Sequence, residues 1–177
     1  MTVQNVTIRS ESADDAAEIR SVHESAFGRP HEGRLVDTLR GTEAFQARFS
    51  LVAEYELEVI GHILLYPIEI LGDDGTMRSG PLSLGPLGVS PTYQNLGIGS
   101  SLVREGLERA RNAGYESVIV LGHPDYYPRF GFRPASRWRI YPPFDVQDSH
   151  FMALELVRGA LAGMAGVVVY PPPFDEV

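Results

Sequence analysis

The sequence predicts a mixed α/β fold for residues 1–177 as a single domain, with a central mixed sheet of about seven strands and helices on both faces. Two observations predict it. Ser50–Tyr55 and Val59–Leu71 are apolar segments joined by a tight turn, which is typical of antiparallel strands. Further on, the apolar segment Leu82–Val89, a helical pattern ending near Asn112 and the apolar segment Val118–Leu121 make a parallel crossover unit.

The first predicted elements are a short strand over Val3–Ile8 and two amphipathic helices. Ser12–Asp15 matches a capping box that opens the first helix, and Gly28 is suited to end it. The second helix covers about Glu32–Arg40. The residues that form an apolar face on the first helix are Ile19, Val22, His23, Ala26 and Phe27.

Two histidines lie on predicted apolar faces, His23 on the first helix and His62 on the strand Val59–Leu71. Imidazole titrates near neutral pH, so each histidine is a candidate general base. Each also suits the core as a packed, hydrogen-bonded side chain, and the pattern favours that interpretation for both residues.

Gly88–Ser101 is the segment around which the predicted fold is organised. Gly97 and Gly99 flank one apolar residue where the helix begins, so the backbone there can approach a ligand closely. The first N–H groups of a helix have no partner within it and attract phosphate. A dinucleotide fingerprint would need a third glycine at Leu102, and a Walker loop would need a lysine, which the chain lacks. A glycine-rich turn that only starts a helix is the remaining structural interpretation.

The pattern Gln-x-x-Gly-x-Gly over Gln94–Gly99, preceded by Val-x-Pro over Val89–Pro91, resembles the pyrophosphate-binding motif of the GNAT N-acetyltransferases, here of the predicted bacterial acetyltransferase subfamily. Members use acetyl-coenzyme A (acetyl-CoA), and the resemblance implies that backbone N–H groups of this loop hold its diphosphate. It also implies a splay between the fourth and fifth strands for the pantetheine arm, and a strand defect at Gly85–Pro86 is compatible with that splay. The implied cofactor-binding residues are Leu87, Gly88, Val89, Gln94, Asn95, Leu96, Gly97, Ile98, Gly99 and Ser100.

Gly122–Phe132 resembles a second GNAT segment, in which a tyrosine four residues before a Gly-Phe pair lies beside the cofactor thiol. The matching residue is Tyr127, and the resemblance implies that it protonates the departing thiolate. Aromatic packing is the other interpretation of Tyr127. Many members have an asparagine after the fifth strand, where this chain has Gly122 and His123. The resemblance also places Phe27–His31 near the acceptor, although this segment equally suits an ordinary connection.

The closing strands are predicted over Trp138–Tyr141, Phe151–Val157 and Val167–Tyr170. Beyond Ala135 the resemblance rests on the expected number of strands. This last part of the chain could therefore hold an acceptor-specific elaboration.

Composition excludes several classes of function. The chain has no cysteine, which excludes disulfides and acyl transfer through a cysteinyl intermediate. All 15 basic residues are arginine and the net charge is −8, which disfavours non-specific nucleic-acid binding. No segment has the length of a membrane span and residues 1–30 lack a secretory pattern, so a cytoplasmic location without a membrane partner is expected. A homodimer is left open.

The resemblance implies an N-acetyltransferase that moves the acetyl group of acetyl-CoA directly to a small-molecule or peptide amine in a ternary complex, without a metal. Many members use a carboxylate on the fourth strand as general base, but Leu82–Gly88 contains none. His62, Glu54, His123 and Asp125 remain candidates for that role, acting through water. The alternative function is a catalytically weak acyl-CoA-binding sensor or scaffold of the same fold.

Overall fold

The computed structural model of the protein describes residues 5–176. Nine strands and three α-helices lie within this range. The helices are α1 (Ala16–Phe27), α2 (His31–Arg40) and α3 (Ile98–Asn112). The strands are β1 (Thr7–Ser10), β2 (Ser50–Tyr55), β3 (Glu58–Leu71), β4 (Met77–Val89), β5 (Ser117–Leu121), β6 (Arg133–Pro134), β7 (Ile140–Tyr141), β8 (Phe151–Glu155) and β9 (Gly166–Val169). Within the described range, no helix is long and apolar enough to cross a membrane.

The strands hydrogen-bond in the order β1-β2-β3-β4-β5-β8-β6, while β9 pairs with β3 and β7. The chain divides into two compact units. Within the described residues, unit 1 comprises residues 5–66, Gly85–Arg109 and residues 172–176, and unit 2 comprises Pro67–Leu84 and Ala110–Pro171. β3, β4 and α3 each contribute residues to both units. The single domain expected from the sequence stays a prediction.

In unit 1, β1, β2 and the first part of β3 form an antiparallel sheet. Successive residues of β3 face opposite sides of that sheet. A Cβ atom at Gly61 would lie 3.2 Å from Leu102 Cδ1 of α3, whereas the neighbouring His62 is hydrogen-bonded to His23 of α1. Because side chains alternate along a strand, α1 and α3 cover opposite faces, as predicted.

The apolar faces of α1 and α2 form the core of unit 1. The capping box that opens α1 is present, since the Ser12 N–H donates to Asp15 Oδ2 at 2.6 Å. Gly28 ends the helix with a φ of 68°, and its N–H donates to the Glu24 carbonyl at 2.9 Å. Burying each large apolar side chain contributes about 1.5–3 kcal/mol. The buried cluster is Ile19, Val22, Leu35, Val36, Leu39, Val52, Val59, Leu64 and Tyr66.

In unit 2, β4 and β5 are parallel neighbours, with Leu82 opposite Val118. β8 lies antiparallel to β5 and also pairs with β6. β9 lies antiparallel to the end of β3 and parallel to β7. The resulting core is formed by Ile68, Ile70, Ile119, Ala135, Ile140, Phe151, Ala153, Leu161 and Val168.

The predicted mixed sheet is confirmed, with differences at its margins. β6 is an additional strand of two residues, which is too short for a sequence pattern. The strand predicted over Trp138–Tyr141 is shorter in the structure, where β7 covers Ile140–Tyr141. β4 begins at Met77, whereas the predicted strand began at Leu82. The first residues of β4 are largely exposed and carry no apolar signal, so the sequence pattern did not include them. The predicted strand Val3–Ile8 lies partly outside the described residues, and within them β1 covers Thr7–Ser10.

Candidate active site

The carboxyl end of β4 is the first part of the candidate site. β4 pairs with β5 through Leu82–Leu84, opposite Val118–Val120, and the described pairing stops there. The next peptide bond, Gly85–Pro86, is cis, and proline has no N–H to donate. β4 nevertheless continues to Val89. The strand therefore loses its β5 pairing before its end, as the predicted splay requires.

A tight loop connects β4 to α3. Its first turn is a 3-10 turn over Pro91–Tyr93. The side-chain amide of Gln94 then donates to the Val89 carbonyl at 3.0 Å and closes the loop on the end of the strand. Asn95 and Gly97 have φ angles of 62° and 84°, a left-handed conformation that these two residue types tolerate best. The side chain of Gln94 thus stabilises the loop. The backbone of the neighbouring residues is then left for contact with a ligand.

α3 begins directly after this loop. The Ser101 N–H donates to the Gly97 carbonyl at 3.0 Å, so the N–H groups of Ile98 and Gly99 precede the helical ladder. Ile98 is buried, and its side chain packs where Gly61 leaves space on β3. The apolar residue between the two glycines therefore anchors the helix start. The helix dipole and these N–H groups make the N-terminus attractive to an anion such as a diphosphate.

Tyr127 lies in unit 2, in a 3-10 turn over Tyr127–Phe130. Its ring is buried, and it packs edge-on against Tyr126 and Phe132 at centroid distances of 5.0 and 5.7 Å. A Cβ atom at Gly122 would lie only 2.2 Å from Tyr127 Cε2. The glycine that directly follows β5 therefore leaves room for the tyrosine ring. Burial, with Tyr126 nearby, raises the pKa of Tyr127, so its hydroxyl is protonated at neutral pH and can donate.

A buried polar chain runs through unit 1 behind β4. His23 Nε2 lies 2.8 Å from His62 Nδ1, and His62 Nε2 lies 2.8 Å from Ser50 Oγ. The Ser50 hydroxyl donates to Glu11 Oε2, and Arg40 Nε donates to Glu11 Oε1 at 2.6 Å. Both imidazoles are completely buried. His23 of α1 is thereby connected, through His62 and Ser50, to the ion pair between Glu11 and Arg40.

Burial determines the charge states of His23 and His62. It lowers the pKa of His23, with a further contribution from His62, and both rings are uncharged at neutral pH. Burial alone would raise the pKa of Glu11. Interactions with His62, Arg40 and Ser50 outweigh the effect of burial and lower the pKa of Glu11 to about 2. Glu11 is therefore a carboxylate at the end of a neutral histidine pair.

A cleft of about 330 Å³ opens in unit 1 beside α1 and the end of β4. Two carboxylates, Glu18 and Glu58, are part of its lining. Glu18 Oε2 accepts a hydrogen bond from the Val59 N–H at 2.9 Å, which ties α1 to β3. The other lining residues are Ser21, Val22, Leu57, Val59 and Ser90. The acidic lining suits a cationic molecule.

The remaining predicted bases differ in their surroundings. Glu54 accepts hydrogen bonds from Arg9 at 2.9 and 2.7 Å, which occupies it structurally. His123 and Asp125 lie exposed in the turn that precedes Tyr127. No local pattern indicates that Glu11 and Ser50 join the histidines, because these residues lie far apart in the chain. Within residues 5–176, no group of three or more His, Asp or Glu side chains is arranged to hold a metal ion.

Residues 16–132 match the family model described as Acetyltransferase (GNAT) family. The chain belongs to the GNAT family. The Escherichia coli (strain K12) protein named Uncharacterized N-acetyltransferase YjhQ is 39% identical over 153 residues, which cover 85% of this chain and 82% of that protein. The Uncharacterized N-acetyltransferase YhbS of the same strain is 31% identical over 169 residues, covering 96% and 98%. The GNAT assignment makes the chain an acyltransferase.

Solved GNAT structures agree with this fold. Escherichia coli YhbS in complex with CoA superposes with a TM-score of 0.88 at 30% identity, covering 96% of this chain and 92% of that one. A GNAT acetyltransferase from Brucella melitensis in complex with acetyl-CoA superposes with a TM-score of 0.79 at 37% identity, covering 97% and 99%. The GNAT resemblance seen in the loop motif thus extends over nearly the whole chain.

Proposed function

We propose that this GNAT protein is an N-acetyltransferase that moves the acetyl group of acetyl-CoA directly to an amine bound in the same ternary complex. The observation that carries the proposal is the junction of β4, the Gln94-closed loop and α3, which presents backbone N–H groups to an anion. The relatives solved with CoA and acetyl-CoA support the choice of cofactor. The absence of cysteine supports direct transfer over a cysteinyl intermediate.

The residue roles follow the sequence prediction. Gln94–Ser100 would hold the diphosphate through backbone N–H groups. Backbone N–H groups of Leu87–Val89 would polarise the thioester carbonyl, where negative charge develops as the amine attacks. Tyr127 would protonate the departing thiolate, since its hydroxyl keeps its proton at neutral pH. No metal has a role in this chemistry.

The acceptor is a small-molecule or peptide amine. An amine must be neutral to attack, although it is a cation in water at neutral pH. The protein's net charge of −8 and the two glutamates of the unit 1 cleft favour a cationic acceptor. A cytoplasmic location, where acetyl-CoA is available, stays part of the proposal, and the oligomeric state stays open.

Screening amines with acetyl-CoA and a thiol-detecting reagent tests the proposed function. The panel would include polyamines, aromatic amines, aminoglycosides and short peptides with free N-termini. If both substrates are varied, intersecting lines in double-reciprocal plots of the initial rate would support a ternary complex. Acetyl-CoA binding without turnover across the panel would favour the sensor or scaffold, and the absence of binding would contradict both functions.

Replacing Gly99 by valine tests the diphosphate site. At a CoA concentration a thousandfold above Kd, binding should add about 4 kcal/mol to the free energy of unfolding of the wild-type protein. The branched side chain at the helix start should obstruct the diphosphate, so we expect this gain to vanish while the unliganded protein stays folded. Gly41→Val is the control, because a Cβ atom at Gly41 meets only ordinary contacts. An undiminished gain in Gly99→Val would contradict the phosphate assignment.

A further inference from the structure

His23 presents an unpaired nitrogen to the end of β4. Its Nδ1 atom is buried and has no hydrogen-bond partner among the described residues. A Cβ atom at Gly88 would lie 2.8 Å from this Nδ1, so the nitrogen faces the point where β4 carries no side chain. Buried polar atoms are nearly always paired, because an unpaired one is costly to folding. An orphaned nitrogen on a ring that is otherwise held firmly therefore indicates a functional partner.

The polar chain behind His23 determines which of its nitrogens carries the proton. The Ser50 hydroxyl gives its only proton to the Glu11 carboxylate, so Ser50 Oγ must accept from His62 Nε2–H. A neutral His62 then has a lone pair on Nδ1, which accepts from His23 Nε2–H. A neutral His23 is left with a lone pair on Nδ1. The orphaned atom is therefore a base and not a donor.

We propose that His23 Nδ1 is the general base that takes the proton from the acceptor amine, with His62, Ser50 and Glu11 as positioning residues that hold its tautomer. The assignment rests on the proposed function, in which Gly88 lies beside the thioester. It deepens that function by naming a base where β4 offers no carboxylate.

The acceptor reaches this region from the unit 1 cleft. Val22, which adjoins His23 on α1, and Ser90, which follows Gly88 by two positions on the chain, both line the cleft. The cleft therefore lies next to the end of β4, close in the chain to both Gly88 and His23. Glu18 and Glu58 of the same cleft would attract the ammonium form of the amine.

The proton balance is complete. The ammonium form loses one proton to solvent, and the neutral amine attacks the thioester carbon to form the C–N bond. His23 Nδ1 takes a second proton from the attacking nitrogen. The C–S bond then breaks, and the thiolate takes one proton from Tyr127. Solvent restores Tyr127 and discharges His23, so the net products are the amide, CoA and one proton.

The charges around the pair favour this cycle. When His23 becomes an imidazolium, its Nε2–H still donates to His62, and Glu11 stabilises the positive charge through the hydrogen-bonded side chains between them. Arg40 opposes the charge on His62, while Asp15 and Glu11 favour it. The imidazolium is thereby supported by a carboxylate through His62, although neither ring is charged at rest.

Nitrogen-15 NMR of histidine-labelled protein with CoA bound tests the tautomer directly. We expect His23 and His62 both to be neutral at pH 7, with the proton on Nε2 and none on Nδ1. A proton on His23 Nδ1, or a charged His23 at pH 7, would overturn the proposal. His23→Gln assigns the signal, because the amide nitrogen of glutamine can keep the hydrogen bond to His62 while the side chain has no basic nitrogen to take a proton.

The same variant tests the chemistry with an amine that the wild-type enzyme acetylates. We expect kcat to fall by roughly 10² to 10⁴ while CoA affinity and the KM for acetyl-CoA stay near wild type. The acid limb of kcat that reports the histidine pair should disappear. Glu24→Gln, an exposed change on the same helix, is the control and should behave as wild type.

Ser50→Ala supplies a second variant in case His23→Gln does not fold. It removes the acceptor that holds the His62 tautomer, so His23 should show a mixture of tautomers and kcat should fall partly. A pure Nε2–H tautomer with unchanged kcat would contradict the positioning role. The experiments distinguish a failure of the proposed function from a failure of the His23 assignment. Wild-type protein without turnover on any amine counts against the proposed function, whereas turnover that survives in His23→Gln counts only against His23.

Discussion

Two glycines, Gly88 in unit 1 and Gly122 in unit 2, leave space for an aromatic ring where a side chain would otherwise stand. A Cβ atom would lie 2.8 Å from His23 Nδ1 at Gly88 and 2.2 Å from Tyr127 Cε2 at Gly122. At Gly122 the ring comes from the adjoining turn. At Gly88 it comes from a helix near the start of the chain. The arrangement at Gly122 therefore lies within a short sequence motif, whereas the arrangement at Gly88 exists only in the folded protein.

The same physical cause prepares the two rings for opposite roles. Burial disfavours the charged form of either group. It raises the pKa of Tyr127, so the hydroxyl keeps a proton to give. It lowers the pKa of His23, so the imidazole keeps a lone pair to accept one. Under the proposed mechanism, burial is the main cause that keeps both the acid and the base neutral.

The largest expected effect is at Tyr127. Tyr127→Phe keeps the ring that fills the space at Gly122 but removes the proton donor, so kcat should fall by roughly 10² to 10⁴ while acetyl-CoA binds nearly as before. Steady-state kinetics and urea unfolding on one preparation measure both quantities. Tyr126→Phe, a neighbouring ring of the same type, is the control.

A purely structural tyrosine predicts another outcome. In that case Tyr127→Phe would cost on the order of 1 kcal/mol of stability and leave kcat near wild type. Such a result would remove Tyr127 from the mechanism and leave only packing in common between the two glycine sites.

The next largest expected effect is a loss of stability when the space beside Gly122 or Gly88 is filled. Gly122→Ala and Gly88→Ala should each cost about 1–3 kcal/mol of stability, because a methyl group overlaps a packed ring in both places. Gly41→Ala is the control and should be nearly neutral, since its Cβ atom would meet only the Thr38 carbonyl at 3.5 Å.

Double variants show whether the ring is the cause. Adding Tyr127→Ala to Gly122→Ala, or His23→Ala to Gly88→Ala, removes the overlap, so each pair should be less destabilised than the sum of its single changes. Strict additivity in either pair would mean that the glycine there is not needed for the ring.

The smallest effect is on stability in acid. The pKa values of His23 and His62 are lowered by burial, so the unfolded chain binds protons below about pH 6.5 that the folded protein does not. Stability from these groups is present above that pH and is lost as pH falls, by at most about 1.4 kcal/mol per pH unit for each group. Glu11 follows the same sign in a lower window, because its pKa is lowered from 4.5 to about 2.

Urea unfolding at a series of pH values separates the two windows. His23→Gln should weaken the loss of stability that begins near pH 6.5, and Glu11→Gln should weaken the loss between about pH 4.5 and 2. Stability that stays flat from pH 7 to pH 5 in the wild-type protein would mean that the histidine pair is charged or exposed, and would weaken the contrast with Tyr127.

Much of the fold could be predicted because its signals are local. Ser50–Tyr55 was predicted with the bounds that the structure shows, since a regular apolar segment between turns defines a strand without help from elsewhere. The capping box at Ser12 and the glycine at Gly28 set the two ends of the first helical segment. The loop motif at Gln94–Gly99 was equally readable, because each residue in it acts on its immediate neighbours.

What could not be predicted depends on partners that are distant along the chain. β9 pairs with the far end of β3, and the two-residue strand β6 is defined by its pairing with β8. The sequence could identify His23 and His62 as residues on apolar faces, yet it could not show that they share a hydrogen bond.

By itself the sequence determined the order of most helices and strands, the loop motif over Gln94–Gly99 and the absence of a thiol nucleophile, because spacing and composition act locally. Only the tertiary structure decided that α1 would bring His23 close to Gly88, and that hydrogen bonds would connect His23 through His62 to Ser50 and Glu11. The reason is physical. A side chain's pKa and tautomer depend on what packs around it, and in unit 1 those neighbours come from segments that meet only when the sheet forms.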